Sequence, residues 1–137
     1  MKNIIKSLPY KITEDHNYIN KLNLIPKELF LQLDNLYNQC SNTNNKAVIN
    51  RLINLIEKYP QVEILKNYLF VAYMLRDEKE KALEIMKLTT KLHPNYLFGK
   101  LNLANLCIEQ GKLEEVPEIL GITLELHDLY PERDTFH

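Results

Sequence analysis

Three prolines set at one interval constrain this chain more than any other feature. Pro26, Pro60 and Pro94 stand 34 residues apart, and Pro131 follows 37 residues after the last of them. Proline fixes φ and lacks a backbone donor, so each marks the end of one helix and the start of the next. The flanking residues agree: Lys58-Tyr59-Pro60, Leu92-His93-Pro94 and Leu129-Tyr130-Pro131 are variants of one short word. A fixed stride of this length is the mark of a stacked repeat in which every unit is one supersecondary element.

Between the prolines the apolar periodicity is helical. Val62, Leu65, Leu69, Ala72 and Tyr73 recur at three- and four-residue steps, and Ala82, Leu83, Met86 and Thr89–Thr90 do the same on the next helix. The link Arg76–Glu80 is short and charged, which forces these two helices antiparallel. Segments 96–109 and 113–127 repeat the arrangement, with Gly111 as a left-handed cap at the turn. Pro117 falls inside the second of these and is tolerable when that helix begins near Leu113. Segments 27–40 and 46–58 form a further hairpin across the polar loop Ser41–Asn45. The reading is six helices in three hairpins. Only three glycines are present, which argues against a turn-rich β protein.

On these residues the chain resembles the tetratricopeptide repeat family. The unit 63–96 supplies Leu69, Tyr73, Ala82, Met86, Thr89 and Pro94 at that family's positions. The unit 97–130 supplies Leu103, Ala104, Cys107, Gly111, Val116, Leu120 and Thr123, with its proline late at Pro131. The first unit, 27–60, supplies Phe30, Leu33, Tyr37, Val48, Leu52 and Pro60, with about two extra residues in its turn. Lys66 and Lys100 replace an early aromatic, Phe70 replaces a small residue, and Asp77 stands where glycine is usual. The resemblance implies an all-α, right-handed α-α superhelix.

The organisation expected is a capping segment over 1–25, three hairpins over about 27–60, 61–96 and 97–130, and the start of a truncated or frayed helix over 131–137. Tyr18, Ile19, Leu22 and Ile25 lie at helical spacing after Thr13-Glu14-Asp15, as a short helix covering the first hairpin would. Each hairpin leaves an apolar flank that a neighbour must cover, so roughly three are needed. The last flank is then open to a partner or to a second copy of the chain.

Little in the chain suggests catalysis. His16, His93, His127 and His137 lie apart, and neither HExxH nor CxxC spacing occurs, so no metal site or cofactor is expected. His93 ends a helix, where a cation would favour the dipole. Cys107 falls at a core position and Cys40 is equally isolated, as reduced buried thiols of a cytoplasmic protein are. The alternating run Arg76–Lys81 reads as a solvated face with weak ion pairs such as Glu78–Lys81. Net charge is −1, without the basic footprint of a nucleic-acid binder. No apolar run approaches the roughly 18 residues of a membrane span.

The resemblance implies a concave surface lined by the first helix of each hairpin. Its positions carry over as Glu28, Leu31, Gln32, Asn35 and Asn38; then Ile64, Asn67, Tyr68, Val71 and Met74; then Phe98, Leu101, Asn102, Asn105 and Ile108. Five of these fifteen are Asn, in a chain already rich in Asn; none is Lys or Arg, and Glu28 is the one acid. The cationic clamp with which some family members hold a C-terminal carboxylate is therefore missing. An uncharged groove of amides and apolar anchors suits a peptide or helix of a partner protein. A chaperone for a secreted or unstable partner is the alternative, and a helical-repeat RNA binder a weaker one.

Overall fold

The computed structural model describes residues 10–14, 25–121, 130–131 and 134–136. Helices occupy Lys27–Phe30 (α1), Leu33–Ser41 (α2), Ala47–Lys58 (α3), Glu63–Met74 (α4), Lys79–Leu92 (α5), Leu97–Glu109 (α6) and Val116–Leu120 (α7). α1 and α2 are one helix interrupted at Leu31–Gln32, so the described residues hold six helices in chain order. From α2 onward each packs on the next, and α2 also lies against α4.

The 34-residue stride is written into the backbone. Tyr59 and His93 leave their helices with φ −129° in both and ψ of 64° and 69°. Val62 and Tyr96 lead into the next helices at φ −93°, ψ 94° and φ −91°, ψ 101°. The Val62 N–H donates to Tyr59 O and the Tyr96 N–H to His93 O, both at 3.0 Å. Pro60 and Pro94 take the second place of these four-residue turns, where a fixed φ is pre-set for the bend. These prolines thus shape the loop and do not open the helix itself. Of Pro26, Pro60 and Pro94, only Pro26 directly precedes a helix, as the residue before α1.

The turn within each hairpin repeats as well. Asp77 has φ 58° and Gly111, 34 residues on, has φ 74°. Around Asp77, its own N–H donates to Met74 O at 3.1 Å and the Glu78 N–H to Tyr73 O at 2.9 Å. Around Gly111 the same bonds run to Ile108 O at 3.0 Å and from Lys112 to Cys107 O at 2.8 Å. Both sets satisfy the last carbonyls of a helix through one left-handed residue. Asp is among the few L-residues that visit this region, so it can stand where glycine is usual.

α4 is the wall between two cores. Leu65, Leu69 and Ala72 face the first, with Ile25, Leu29, Leu33, Leu36, Val48 and Leu52. Phe70 faces the second, with Ala82, Met86, Leu103, Leu106 and Cys107. A large residue after Leu69 is thereby explained: positions 69 and 70 sit about 100° apart on a helix and serve opposite sides. Both cysteines are free and buried, and burial pushes the Cys40 thiol up to about 11.

At its third turn and termini the chain departs from the expectation. Pro117 lies in the first turn of α7, entered through a 3-10 turn at Leu113–Glu115, so it removes no interior bond. α7 ends at Leu120 before Gly121 (φ 77°), short of the expected 127, and residues 122–129 lie outside the described residues. A further helix from 131 is not what residues 135–136 adopt. Thr135–Phe136 (β2) pairs in parallel with Lys11–Ile12 (β1), and the Lys11 N–H donates to Asp134 O at 2.7 Å. An extended segment can satisfy its backbone on another strand, which six residues of isolated helix cannot do for themselves. Of the expected N-terminal helix, only Ile25 is described, and it joins the first core; Tyr18, Ile19 and Leu22 lie outside the described residues.

Candidate functional site

The first helix of each hairpin supplies the candidate surface: α1–α2, then α4, then α6. Three contacts bring these alternate helices together. α2 packs on α4, and the rings of Tyr37 and Tyr68 meet across them at 5.5 Å between centroids. The Asn102 amide on α6 donates to Asn67 Oδ1 on α4 at 2.7 Å. Two of the five candidate asparagines therefore bond to each other across adjacent hairpins, which couples the orientation of one amide to that of the other.

Exposure varies along this surface in an ordered way. On the first hairpin Glu28, Leu31, Gln32, Asn35 and Asn38 are all exposed. On the third, Phe98, Leu101, Asn105 and Ile108 are exposed and Asn102 is half-buried. On the middle hairpin Ile64, Asn67, Val71 and Met74 are half-buried and Tyr68 is buried. α4 is therefore recessed between two rows that stand proud. Leu31 at 72%, Phe98 at 60% and Ile108 at 50% exposure are large apolar groups held in water; scattered singly such residues are ordinary, whereas contiguous ones are not.

Tyr68 differs from the expectation of an anchor-receiving residue. Its side chain is buried, and that burial, with the Asp34 charge nearby, pushes its phenol up to about 12. It serves as floor, not as a contact offered to solvent. Asn35 and Asn105 are held along their own helices, Asn35 accepting from Gln39 at 2.6 Å and Asn105 donating to Glu109 at 3.2 Å. Gln32 and Gln39 both accept from the Arg51 guanidinium, at 2.9 Å and 3.0 Å. A cation therefore reaches the edge of a surface that carries none of its own. Arg51 comes from α3, so the pattern along α2 gives no sign of it.

Lys66 was invisible to the sequence as a structural centre, though its replacement of an aromatic at two positions 34 apart is a signal in hindsight. Its side chain is 1% exposed. The ammonium donates to Pro60 O at 2.7 Å and to His93 Nε2 at 3.0 Å, joining two successive proline turns. In the next unit Lys100 lies over the Tyr130 ring at 4.9 Å from the centroid. Each lysine thus engages the residue that precedes its unit's closing proline. His93 is not the helix-end cation that its position suggested: burial and the Lys66 charge hold its pKa below the ordinary value. Burial likewise lowers Lys66, with Glu63 partly offsetting it.

Arg76 also leaves the solvated face to which its run of alternating charge assigned it. Its guanidinium donates to Ala72 O at 2.8 Å, Cys40 O at 3.3 Å, and Asn42 O and Asn45 O at 2.9 Å each. The longer turn of the first hairpin is thereby fastened to the second. Glu78 and Lys81 do form the expected exposed pair.

Among the described residues there is no group of three or more His, Cys, Asp or Glu placed to hold a metal ion, and no helix is long and apolar enough to cross a membrane. His16, His127 and His137 lie outside the described residues. No protein-family model, curated protein or solved structure matches this chain.

Proposed function

We propose that this chain is a tetratricopeptide-like scaffold, a right-handed stack of three hairpins that holds a peptide or helix of a partner protein on its alternate-helix face. The observation that carries this reading is the recessed α4 between exposed rows on α1–α2 and α6. The backbone repetition at 34 residues and the α2–α4 packing support the stacked arrangement. Exposed Leu31, Phe98, Leu101 and Ile108 offer apolar anchor sites. Asn35, Asn38, Asn67, Asn102 and Asn105 add groups that both donate and accept, which suits a peptide backbone. Met74 and Val71 complete the floor. On this reading the protein works by binding, in the cytoplasm, and without a cofactor.

Selection from a displayed peptide library on the immobilised chain tests it. Selected peptides should lose affinity at least about tenfold, roughly 1.4 kcal/mol, when Leu31, Phe98 and Ile108 are replaced together by Asp. These side chains are exposed, so the fold should survive, as circular dichroism would check. Peptides indifferent to the triple substitution would overturn the assignment of this face.

A further inference from the structure

The partly buried Lys66–His93 contact has a chemistry that fixes its protonation. An ammonium is a donor only, so His93 Nε2, 3.0 Å away, must accept and the ring's single proton must lie on Nδ1. A second proton on that ring would remove the acceptor and leave two cations 3.0 Å apart, one of them buried and the other half-buried, where like charges are screened less than in water. Lys66 would keep its other partner, the Pro60 carbonyl, which also favours a proton on the ring but is outweighed by burial and the Lys66 charge. The repulsion would therefore fall on His93.

His93 sits at a mechanical junction. Its backbone N–H donates to the Thr89 carbonyl at the end of α5, at 2.8 Å, and its own carbonyl accepts from the Tyr96 N–H, just before α6, at 3.0 Å. Tyr96 in turn packs on Phe98, with ring centroids 5.9 Å apart. The charged and titratable groups around the pair are few. α4 brings Glu63, whose field supports the Lys66 charge, and the turn brings Tyr96, whose phenol burial and Glu63 push upward and so keep neutral.

We propose that Lys66–His93 is an acid-released latch: protonation of His93 separates it from Lys66 and loosens the 93–96 turn from which α6 and Phe98 begin. The latch stands independently of the binding role proposed above, since it acts through the packing of the second hairpin on the third. The sign follows from linkage. A histidine whose folded pKa lies below 6.5 binds its proton more readily unfolded, so stability is full above pH 6.5 and falls as pH drops through the folded value.

Histidine-ring NMR of the full chain, with thermal unfolding from pH 8 to about pH 5, tests the latch. His93 should titrate below 6.5. The wild type should lose about 3–6 °C of Tm on acidification beyond the loss in His93→Gln, whose amide oxygen accepts from Lys66 without titrating. Lys66→Met should move the His93 midpoint upward. Titration of His93 at or above 6.5, or superimposable profiles for wild type and His93→Gln, would overturn the proposal. The wild-type ring titration decides the matter even where a variant does not fold.

Discussion

The second and third hairpins share one backbone but not one set of side chains. The proline turns that lead into them repeat dihedral angles closely at a 34-residue offset, and both inner turns carry one left-handed residue, yet Leu65 in one corresponds to Gly99 in the other, Asp77 to Gly111, and the Lys66–His93 contact to Lys100 over Tyr130. The lesson is that the repeat conserves path, because stacking demands equal steps, while each interface is filled by whatever side chains its own gap admits. Exchanging residues between corresponding positions separates path from filling.

The largest effect lies at 65 and 99. Leu65 is fully buried in the first core, and truncation to Ala should destabilise by about 3–4 kcal/mol in denaturant unfolding. The reverse exchange, Gly99→Leu, should destabilise by about 1–3 kcal/mol for the opposite reason. A Cβ at 99 would already lie 3.2 Å from Thr89 Cγ2 and 3.3 Å from Tyr96 Cδ1, so α6 approaches α5 too closely for a branched side chain. A neutral Gly99→Leu would show that the two gaps are equivalent after all.

Arg76 comes next. Arg76→Met keeps much of the stem but removes the fork that holds the Cys40, Asn42 and Asn45 carbonyls. A loss of about 2 kcal/mol is expected, because hydrogen bonds from a charged donor contribute roughly 1.5–3 kcal/mol and solvent can re-satisfy exposed carbonyls. Amide exchange should rise first in 42–46. No change in either would return Arg76 to the solvated face its sequence context suggests.

The left-handed turns should differ by about 1 kcal/mol. Gly111→Ala should destabilise by that order, through backbone strain alone, since nothing lies within 4 Å of the added Cβ. Asp77→Gly should be neutral to stabilising by a few tenths of a kcal/mol. The smallest effect concerns the candidate face: a double-mutant cycle with Asn67→Ala and Asn102→Ala should give a coupling of about 0.5–1 kcal/mol. Zero coupling would mean that both amides are available to a partner.

The helical reading was legible because burial leaves a period. Leu65, Leu69 and Ala72 announce one face, and the recurring prolines announce the turns, since both are local consequences of chain geometry. Gly111 as a left-handed cap was equally local. The candidate face was legible only as positions. That Asn67 and Asn102 would bond to each other, that Tyr68 would sink into the floor, and that Arg51 would reach Gln32 and Gln39 all depend on pairs between 12 and 35 residues apart. The extended pair at 11–12 and 135–136 was missed for the same reason: two-residue strands have no period of their own, and only a partner distant in sequence defines them.

By itself, then, the sequence determined the helical segments and the placement of the turns between them, since each arises from interactions between near neighbours in the chain. The tertiary structure alone decided which polar groups would be carried inside and how they would be matched. Lys66 is the clearest instance. Its charge predicts a surface position, and only the convergence of the Pro60 carbonyl and a neutral His93 around one ammonium makes its burial tolerable.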